Sequence, residues 1–229
     1  MLHGELGRYP IAVFVKTRMI GYWNRLLVGK PSKYSYLLYK HTMSTGIPLK
    51  WNSYIRNILI DVGRHDIWLN QSNITSKHLN ILVKQTLKDQ YIQTWNSAMT
   101  NSCKGTIYRS FKTALTFEKY ITVLPRNLAF TMLKFRTSNT KFPIETGRWD
   151  NTLLEDRKCT LCDLNEVGSE EHYLLICPHF TVLRQRYIPR TLLSQPIDDA
   201  FARLMTVDSQ PDLLNLSKFI GMLLKAFRT

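Results

Sequence analysis

Four residues in the last third of the chain constrain its fold more than any other feature. Cys159, Cys162, His172 and Cys177 follow the spacing C-x2-C-x9-H-x4-C. Thiolates and imidazoles are the ligands of closed tetrahedral zinc sites, and a Cys-x2-Cys turn commonly supplies the first two of them. The spacing therefore predicts a Cys3His zinc site formed by these four residues.

The second half of this pattern requires a departure from regular helix. Residues five apart lie about 140° apart around an ideal α-helix, so His172 and Cys177 cannot both face one ion from it. Pro178 follows Cys177, and the residue before a proline is pushed out of the α region. We therefore expect a short helix that carries His172 and ends at Cys177, with the thiol turned back towards the metal. His179 is the alternative to Cys177 as fourth ligand.

Core packing and disulfide bonding account for the cysteines less well than a metal does. Free cysteines often pack in apolar cores, yet three of the four cysteines fall within 19 positions of one another, beside a histidine. Disulfide bonds would leave an odd cysteine in the cluster, and the N-terminus lacks the apolar stretch of a secretory signal. We interpret Cys103 as a lone thiol and expect an intracellular protein, nuclear or cytoplasmic.

Positive charge is concentrated towards the N-terminal side of the chain. There are 31 Lys and Arg against 17 Asp and Glu, a net charge of +14. Residues 1–150 hold 22 basic and 7 acidic residues, whereas residues 151–229 hold 9 and 10. This asymmetry favours nucleic acid, as RNA or single-stranded DNA, over a small-molecule substrate. A basic surface that only maintains solubility is the alternative. No apolar run reaches the ~20 residues of a membrane span, so we expect no membrane partner.

Hydrophobic spacing is helical along the whole chain. Helices are predicted to start near Pro10, Ser32 and Asn52 and to cover residues 76–98, 107–120, 125–136, 179–187, 198–205 and 211–227, with a polar connection over 137–156. A small hairpin around residues 159–162 is the only strand feature expected. The predicted fold is mainly α, a multi-helix domain followed by a small Cys3His zinc module and C-terminal helices. The corresponding ranges are a basic helical region at 1–150, a zinc-binding module at 151–190 and C-terminal helices at 191–229.

Basic and aromatic residues alternate in the segment that leads into the cysteine pattern. Arginine and lysine pair with phosphates, while an aromatic ring can stack on an unpaired base. The candidate nucleic-acid contacts are Arg136, Lys141, Arg148, Trp149, Arg157 and Lys158. An alternative role for Trp149 is to cover the zinc site.

The motif sequence resembles a known protein region. Cys159-Thr-Leu-Cys162 and then Glu-Glu-His172-Tyr-Leu-Leu-Ile-Cys177-Pro, preceded by Arg-Lys, resembles the zinc-binding segment downstream of the polymerase in non-LTR (LINE-type) retrotransposon reverse transcriptases. Residues 4–10 resemble the stretch where those proteins leave the thumb region. Residues 134–139 and 142–149 resemble the lead-in to their zinc module. The resemblance covers nearly the whole chain and is specific at the zinc segment and its lead-in.

This resemblance implies a zinc-dependent region that binds template RNA or target nucleic acid beside a polymerase, with the same four zinc ligands. Reverse transcription needs paired aspartates that hold two divalent metals. The only adjacent aspartate pair is Asp198-Asp199, which opens a predicted helix and suits its dipole. We therefore expect a non-catalytic C-terminal fragment that starts after the polymerase. The alternative is a structural or protein-interaction module that docks on a polymerase core in trans or on another partner, with zinc purely structural.

Overall fold

The computed structural model describes residues 1–46, 49–71, 76–193 and 197–227 of the protein, and only the backbone of residues 76, 77, 103, 106, 197 and 198. The interpretation of Cys103 as a lone thiol therefore lies outside the described side chains. Over the described residues the fold is mainly α, as predicted, without a β-strand. Two isolated antiparallel bridges, Leu6 with Phe117 and Lys158 with Val167, occur in this part of the chain.

The helices are numbered in chain order. The N-terminal ones are α1 (Leu2–Glu5), α2 (Ile11–Leu27), α3 (Tyr34–Ser44), α4 (Lys50–Asp61), α5 (His65–Asn70), α6 (Ser76–Thr100) and α7 (Cys103–Phe111). They are followed by α8 (Tyr120–Val123), α9 (Arg126–Arg136), α10 (Pro143–Trp149), α11 (Thr181–Tyr187), α12 (Arg190–Leu193), α13 (Ile197–Met205) and α14 (Gln210–Ala226). Between α10 and α11 lie 3-10 turns at Leu154–Asp156 and Pro178–Phe180 and a π-helical turn at His172–Ile176.

Most predicted helices are present with shifted ends, and three predictions are corrected. The predicted helix over 107–120 ends at Phe111, where Lys112 leaves the α region at φ −123° and ψ 91° and its buried Nζ donates to the Thr116 carbonyl at 2.6 Å. The connection over 137–156 contains α10. The helix predicted to start near Asn52 begins two residues earlier, at Lys50.

The chain divides into two compact units. Residues Met1–Arg8 and Ala98–Thr229 form the major unit, and residues Tyr9–Ser97 form the inserted unit. The predicted boundaries after residues 150 and 190 both fall inside the major unit. The three predicted ranges do not coincide with these two units and stay a prediction.

In the major unit, the π-helical turn is held between helices and aromatic rings. Helix α14 packs along α9, and both α13 and α14 contact the turn. The Tyr173 ring lies 4.7 Å from that of Phe142 and 4.8 Å from that of Phe227, measured between ring centres. Tyr173 and Phe142 are fully buried. This aromatic cluster fixes the backbone of the turn from the core side.

A buried ion-pair network also belongs to the major unit. The Arg136 guanidinium binds Glu5 with Nε–Oε2 at 2.8 Å and Glu118 with Nη2–Oε2 at 2.9 Å. The Tyr120 hydroxyl donates to Glu5 at 2.6 Å, and Arg136 also donates to the Met205 carbonyl. Buried charges are tolerated when they are paired and hydrogen-bonded in this way. The network joins the N-terminal residues to α9.

The inserted unit has its own hydrophobic core between α2, α4 and the start of α6. Trp23 is fully buried, stacks on Trp68 with ring centres 5.7 Å apart and donates from Nε1 to the Tyr39 hydroxyl at 2.8 Å. Ile55 and Leu59 of α4 are also fully buried. Within the described ranges, no helix has both the length and the apolar character needed to cross a membrane.

Candidate metal centre

The four predicted ligands lie together in the major unit. One ligand atom from each of Cys159, Cys162, His172 and Cys177 lies within 4.8 Å of the other three. The Sγ atoms of Cys159 and Cys177 are 3.9 Å apart, and Cys162 Sγ is 3.4 Å from His172 Nε2. Ligand atoms of a tetrahedral zinc site lie roughly 3.5–3.8 Å apart, given Zn–S and Zn–N distances of about 2.3 and 2.0 Å. The group can therefore hold a tetrahedral metal ion.

A tight turn positions the first two cysteines. The Cys159 amide donates to the Glu166 carbonyl at 2.8 Å, and the Gly168 amide donates to the Arg157 carbonyl at 2.9 Å. Asn165 adopts the left-handed conformation at φ 57°, which asparagine tolerates better than most residues. The predicted hairpin is thus present as one bridge rather than as strands. Within the turn, the Leu161 amide points at Cys159 Sγ at 3.4 Å.

The second pair of ligands is positioned by the π-helical turn. The Cys177 amide donates to the His172 carbonyl at 2.7 Å, an i to i+5 hydrogen bond. The wider π turn brings residue i+5 back towards the face of residue i, and such turns are frequent at functional sites. Cys177 itself has φ −50° and ψ 120°, outside the α region, as expected before Pro178. The sequence indicated the break at the proline but not the π turn.

Glu166 orients the histidine and was not among the predicted site residues. Its Oε2 lies 2.9 Å from His172 Nδ1, so the other ring nitrogen, Nε2, faces the sulfur atoms. Metal-bound histidines usually donate their second ring nitrogen to a carboxylate or carbonyl in this way. The sequence feature that could have indicated this role is an acidic residue in the loop between the two halves of the Cys/His pattern.

Arg184 is the second site residue that sequence reasoning missed. It is buried, and its guanidinium donates to the carbonyls of Leu174 at 2.7 Å, Tyr173 at 3.3 Å and Cys177 at 2.9 Å. These carbonyls belong to the end of the π turn, where backbone acceptors lack partners within the helix. Its positive charge also interacts with the Cys177 thiol. No local pattern identified Arg184, because it contacts residues seven to eleven positions earlier.

The pKa values of the Cys159 and Cys177 thiols are shifted in opposite directions. Burial alone would raise the pKa of Cys159, but hydrogen bonds from the Leu161 amide and the neighbouring ligands lower it to about 7. Burial and the adjacent Cys159 thiolate raise the pKa of Cys177 to about 12. Two thiolates this close repel each other, so both ionise together only when a metal ion binds between them. The donor set therefore fits a metal.

The structure favours Cys177 over His179 as the fourth ligand. His179 is exposed, packs its ring on Phe180 and lies outside the four-residue group. Cys177 is fully buried and belongs to the group.

Among the candidate nucleic-acid contacts, the prediction for Arg136 is wrong. Its side chain is buried and bound to Glu5 and Glu118, so no phosphate can reach it without unfolding the surrounding helices. Arg157 is partly buried, and all three of its guanidinium nitrogens donate to the carbonyls of Thr152 and Ile144. The geometry gives Arg157 a structural role inside the turn.

The remaining candidates lie at the surface to different degrees. Arg148 is partly buried and pairs with Glu145 at 3.2 Å, and Lys158 donates to the Asn165 carbonyl at 2.9 Å. Lys141 is exposed, and Trp149 is 70% exposed. Trp149 therefore does not close over the metal group as a buried cover. Contact of these residues with nucleic acid stays a prediction.

Comparison with known proteins adds no relative: no family model, no curated protein and no solved structure matches the chain.

Proposed function

We propose that the Cys3His group holds zinc and that the chain is a non-catalytic, nucleic-acid-binding module of the LINE-type reverse transcriptase kind. The observation that carries the proposal is the closed group of four ligand atoms within 4.8 Å. Soft thiolate ligands in tetrahedral geometry select zinc over magnesium, calcium or manganese. When bound, zinc supplies a cross-link between the cysteine turn and the π-helical turn. Four protein ligands complete its tetrahedron and leave no position for a catalytic water.

Nucleic acid as the partner is supported by charge and by one aromatic surface. The net charge of +14 favours a polyanion. Three thiolates and Zn²⁺ sum to −1, so the metal centre itself does not attract phosphate. Trp149, Lys134 and Lys141 line a cavity of about 330 Å³ in the major unit. An exposed indole and two lysines along one cavity suit stacking on an unpaired base together with phosphate contacts.

Metal content of purified protein tests the zinc assignment. We expect one zinc per wild-type chain, loss of that zinc in Cys159→Ser, and full retention in Cys103→Ser, which alters the cysteine far from the motif. Chelation should lower the melting temperature of the wild type, because structural zinc contributes directly to folding. Equal zinc content in the two variants would remove the basis of the assignment.

Titration of a fluorescent single-stranded RNA at several salt concentrations tests the nucleic-acid assignment. Phosphate neutralisation makes log Kobs fall linearly with log salt, by about 0.7 per phosphate contacted on a single strand. We expect a steep slope of this kind for the zinc-loaded protein. Absent or salt-independent binding would contradict the proposal.

A second candidate function, protein docking, is favoured by an apolar groove in the major unit. Leu6, Ile121, Ala129, Phe130 and Leu133 are among the residues that line this groove of about 670 Å³, and Phe130 is 57% exposed. Contiguous exposed apolar surface commonly marks an interaction site. Size-exclusion chromatography with a LINE-type polymerase core tests this function. We expect a complex that Phe130→Asp abolishes and that Phe130→Leu retains.

A further inference from the structure

A basic groove lies in the inserted unit, far along the sequence from the metal motif. It is formed between α2 and α6 and is lined by Thr17, Arg18, Gly21, Arg25, Asn80, Ile81 and Lys84, with a volume of about 650 Å³. Two arginines and a lysine line it, and no carboxylate of the described residues does. The whole inserted unit has 12 Lys and Arg against 3 Asp and Glu, which accounts for +9 of the chain's net +14. The groove thus lies in the more basic of the two units.

The cations of this groove are available to a ligand. Arg18, Arg25 and Lys84 are exposed, and within the described residues no carboxylate pairs with any of them. The Arg25 guanidinium lies 5.9 Å from the centre of the Tyr22 ring, and the residue is exposed. Arginine offers its hydrogen-bond donors in a fork that matches two phosphate oxygens.

Aromatic rings alternate with these arginines along one side of α2. Phe14, Arg18, Tyr22 and Arg25 are three to four residues apart, so they project from one side of the helix, about 5–6 Å apart along its axis. Phe14 is 46% and Tyr22 45% exposed. Alternation of exposed aromatic and basic side chains beside a basic groove is the arrangement that binds single strands, through base stacking and phosphate contact.

The floor of the groove is shaped by close helix packing. Gly21 faces the side chain of Asn80, and a Cβ atom at position 21 would lie 2.8 Å from Asn80 Oδ1. The missing side chain lets α2 and α6 approach each other and leaves the space between Arg18, Arg25 and Lys84 open. A side chain at position 21 would collide with Asn80 unless that side chain moved.

We infer that the groove between α2 and α6 binds single-stranded nucleic acid, with Arg18, Arg25 and Lys84 on the phosphates and Phe14 and Tyr22 stacked on bases. This inference rests on the proposed nucleic-acid-binding function and assigns it to a surface other than the lead-in to the metal motif. RNA and single-stranded DNA share the chemistry that the groove recognises. Duplex nucleic acid does not fit it equally, because its bases are not available for stacking.

The test compares two triple variants of the full chain that carry the same charge change. The groove variant is Arg18→Gln/Arg25→Gln/Lys84→Gln, and the control is Lys30→Gln/Lys33→Gln/Lys50→Gln, whose lysines are exposed in the same unit but do not line the groove. Labelled RNA and DNA single strands of ~20 nucleotides and a duplex are titrated between about 50 and 200 mM salt. Circular dichroism and zinc content confirm that each variant remains folded.

We expect the groove variant to bind single strands at least about tenfold more weakly than the wild type, with a salt slope about 2 lower, which corresponds to three lost phosphate contacts. The control should change affinity less than about threefold. Tyr22→Leu should weaken single-strand binding about tenfold, because stacking on that ring is lost. Comparison of the two single strands identifies which nucleic acid the groove prefers.

Different failures have different meanings. If the wild type binds with a steep salt dependence and both triple variants weaken binding equally, the groove is not the binding site. The proposed nucleic-acid-binding function would still stand. Absence of wild-type binding would overturn both. Tighter binding of the duplex than of single strands would also overturn the inference. So would a groove variant that no longer binds anionic lipid vesicles but still binds RNA.

Discussion

The two compact units use their positive charge in opposite ways. In the major unit, Arg136, Arg157 and Arg184 direct their guanidinium groups inward, where carboxylates or backbone carbonyls accept their hydrogen bonds. These arginines stabilise the fold and the metal turn. They are poorly placed to meet an external anion.

Three cations of the inserted unit face solvent instead. Arg18, Arg25 and Lys84 line an open groove without a carboxylate partner among the described residues. The net charge is +9 over residues 9–97 and +5 over the rest of the chain. The charge of a segment therefore predicts a polyanion partner only after the buried and paired cations have been set aside.

Substitution of Arg136 should show the largest difference in stability between loss of a buried, paired cation and loss of an exposed one. We expect Arg136→Met to lower the free energy of unfolding by about 3–5 kcal/mol, because Glu5 would remain buried without its partner. Arg18→Met, the exposed control, should change it by less than about 0.5 kcal/mol. Urea denaturation of zinc-loaded protein measures both. The double variant Arg136→Met/Glu5→Leu should recover part of the lost stability. Equal effects of Arg136→Met and Arg18→Met would contradict the distinction between buried, paired cations and exposed ones.

Arg184 extends the comparison to the metal centre. Arg184→Met should lower the free energy of unfolding by about 2–3 kcal/mol, since three backbone carbonyls lose a charged donor. It should also weaken zinc binding by about tenfold or more, because the π turn that presents two ligands is loosened. Arg186→Met, in the same helix but exposed, is the matched control. Competition with a chromophoric chelator measures the affinity, and unchanged zinc affinity would limit Arg184 to a packing role.

The buried Glu170 carboxyl makes the stability of the major unit depend on pH. Burial raises the pKa of this carboxyl to about 7, and the charge of Glu145 acts in the same direction. The folded protein then holds a proton that the unfolded chain releases above pH ~4.5, so this contribution to stability is complete below that pH and is lost as the pH rises to about 7. Glu170→Gln should match the wild type at pH ~4.5 and exceed it by about 3 kcal/mol at pH ~8, since each unit of raised pKa is worth about 1.4 kcal/mol. Parallel stability curves between these pH values would contradict the raised pKa.

The candidate metal ligands could be predicted from the sequence because their chemistry is local and their spacing is short. Cys159, Cys162, His172 and Cys177 lie within one segment, and the structure brings the same four together. The long helices α6 and α14 were predicted for a similar reason, since hydrophobic periodicity accumulates over many turns.

What the sequence could not show depends on contacts between distant residues. Arg136 looked like a phosphate ligand because its partner, Glu5, is 131 positions away in the chain. The helix predicted over 107–120 ends early where Lys112 is buried and leaves the α region, which its local hydrophobic pattern does not reveal. The groove between α2 and α6 joins Arg25 to Lys84, so neither segment alone indicates a site.

The π-helical turn gives the length of the motif a structural meaning. In an α-helix the residue that returns to the face of His172 would be four positions later, so two ligands on that face would read H-x3-C. The π turn shifts the return to the fifth position, and this chain reads H-x4-C. The count of residues between the two ligands thus records the type of helix. Loss of one residue from the turn would convert the motif to H-x3-C, the spacing that an ordinary α-helical turn aligns.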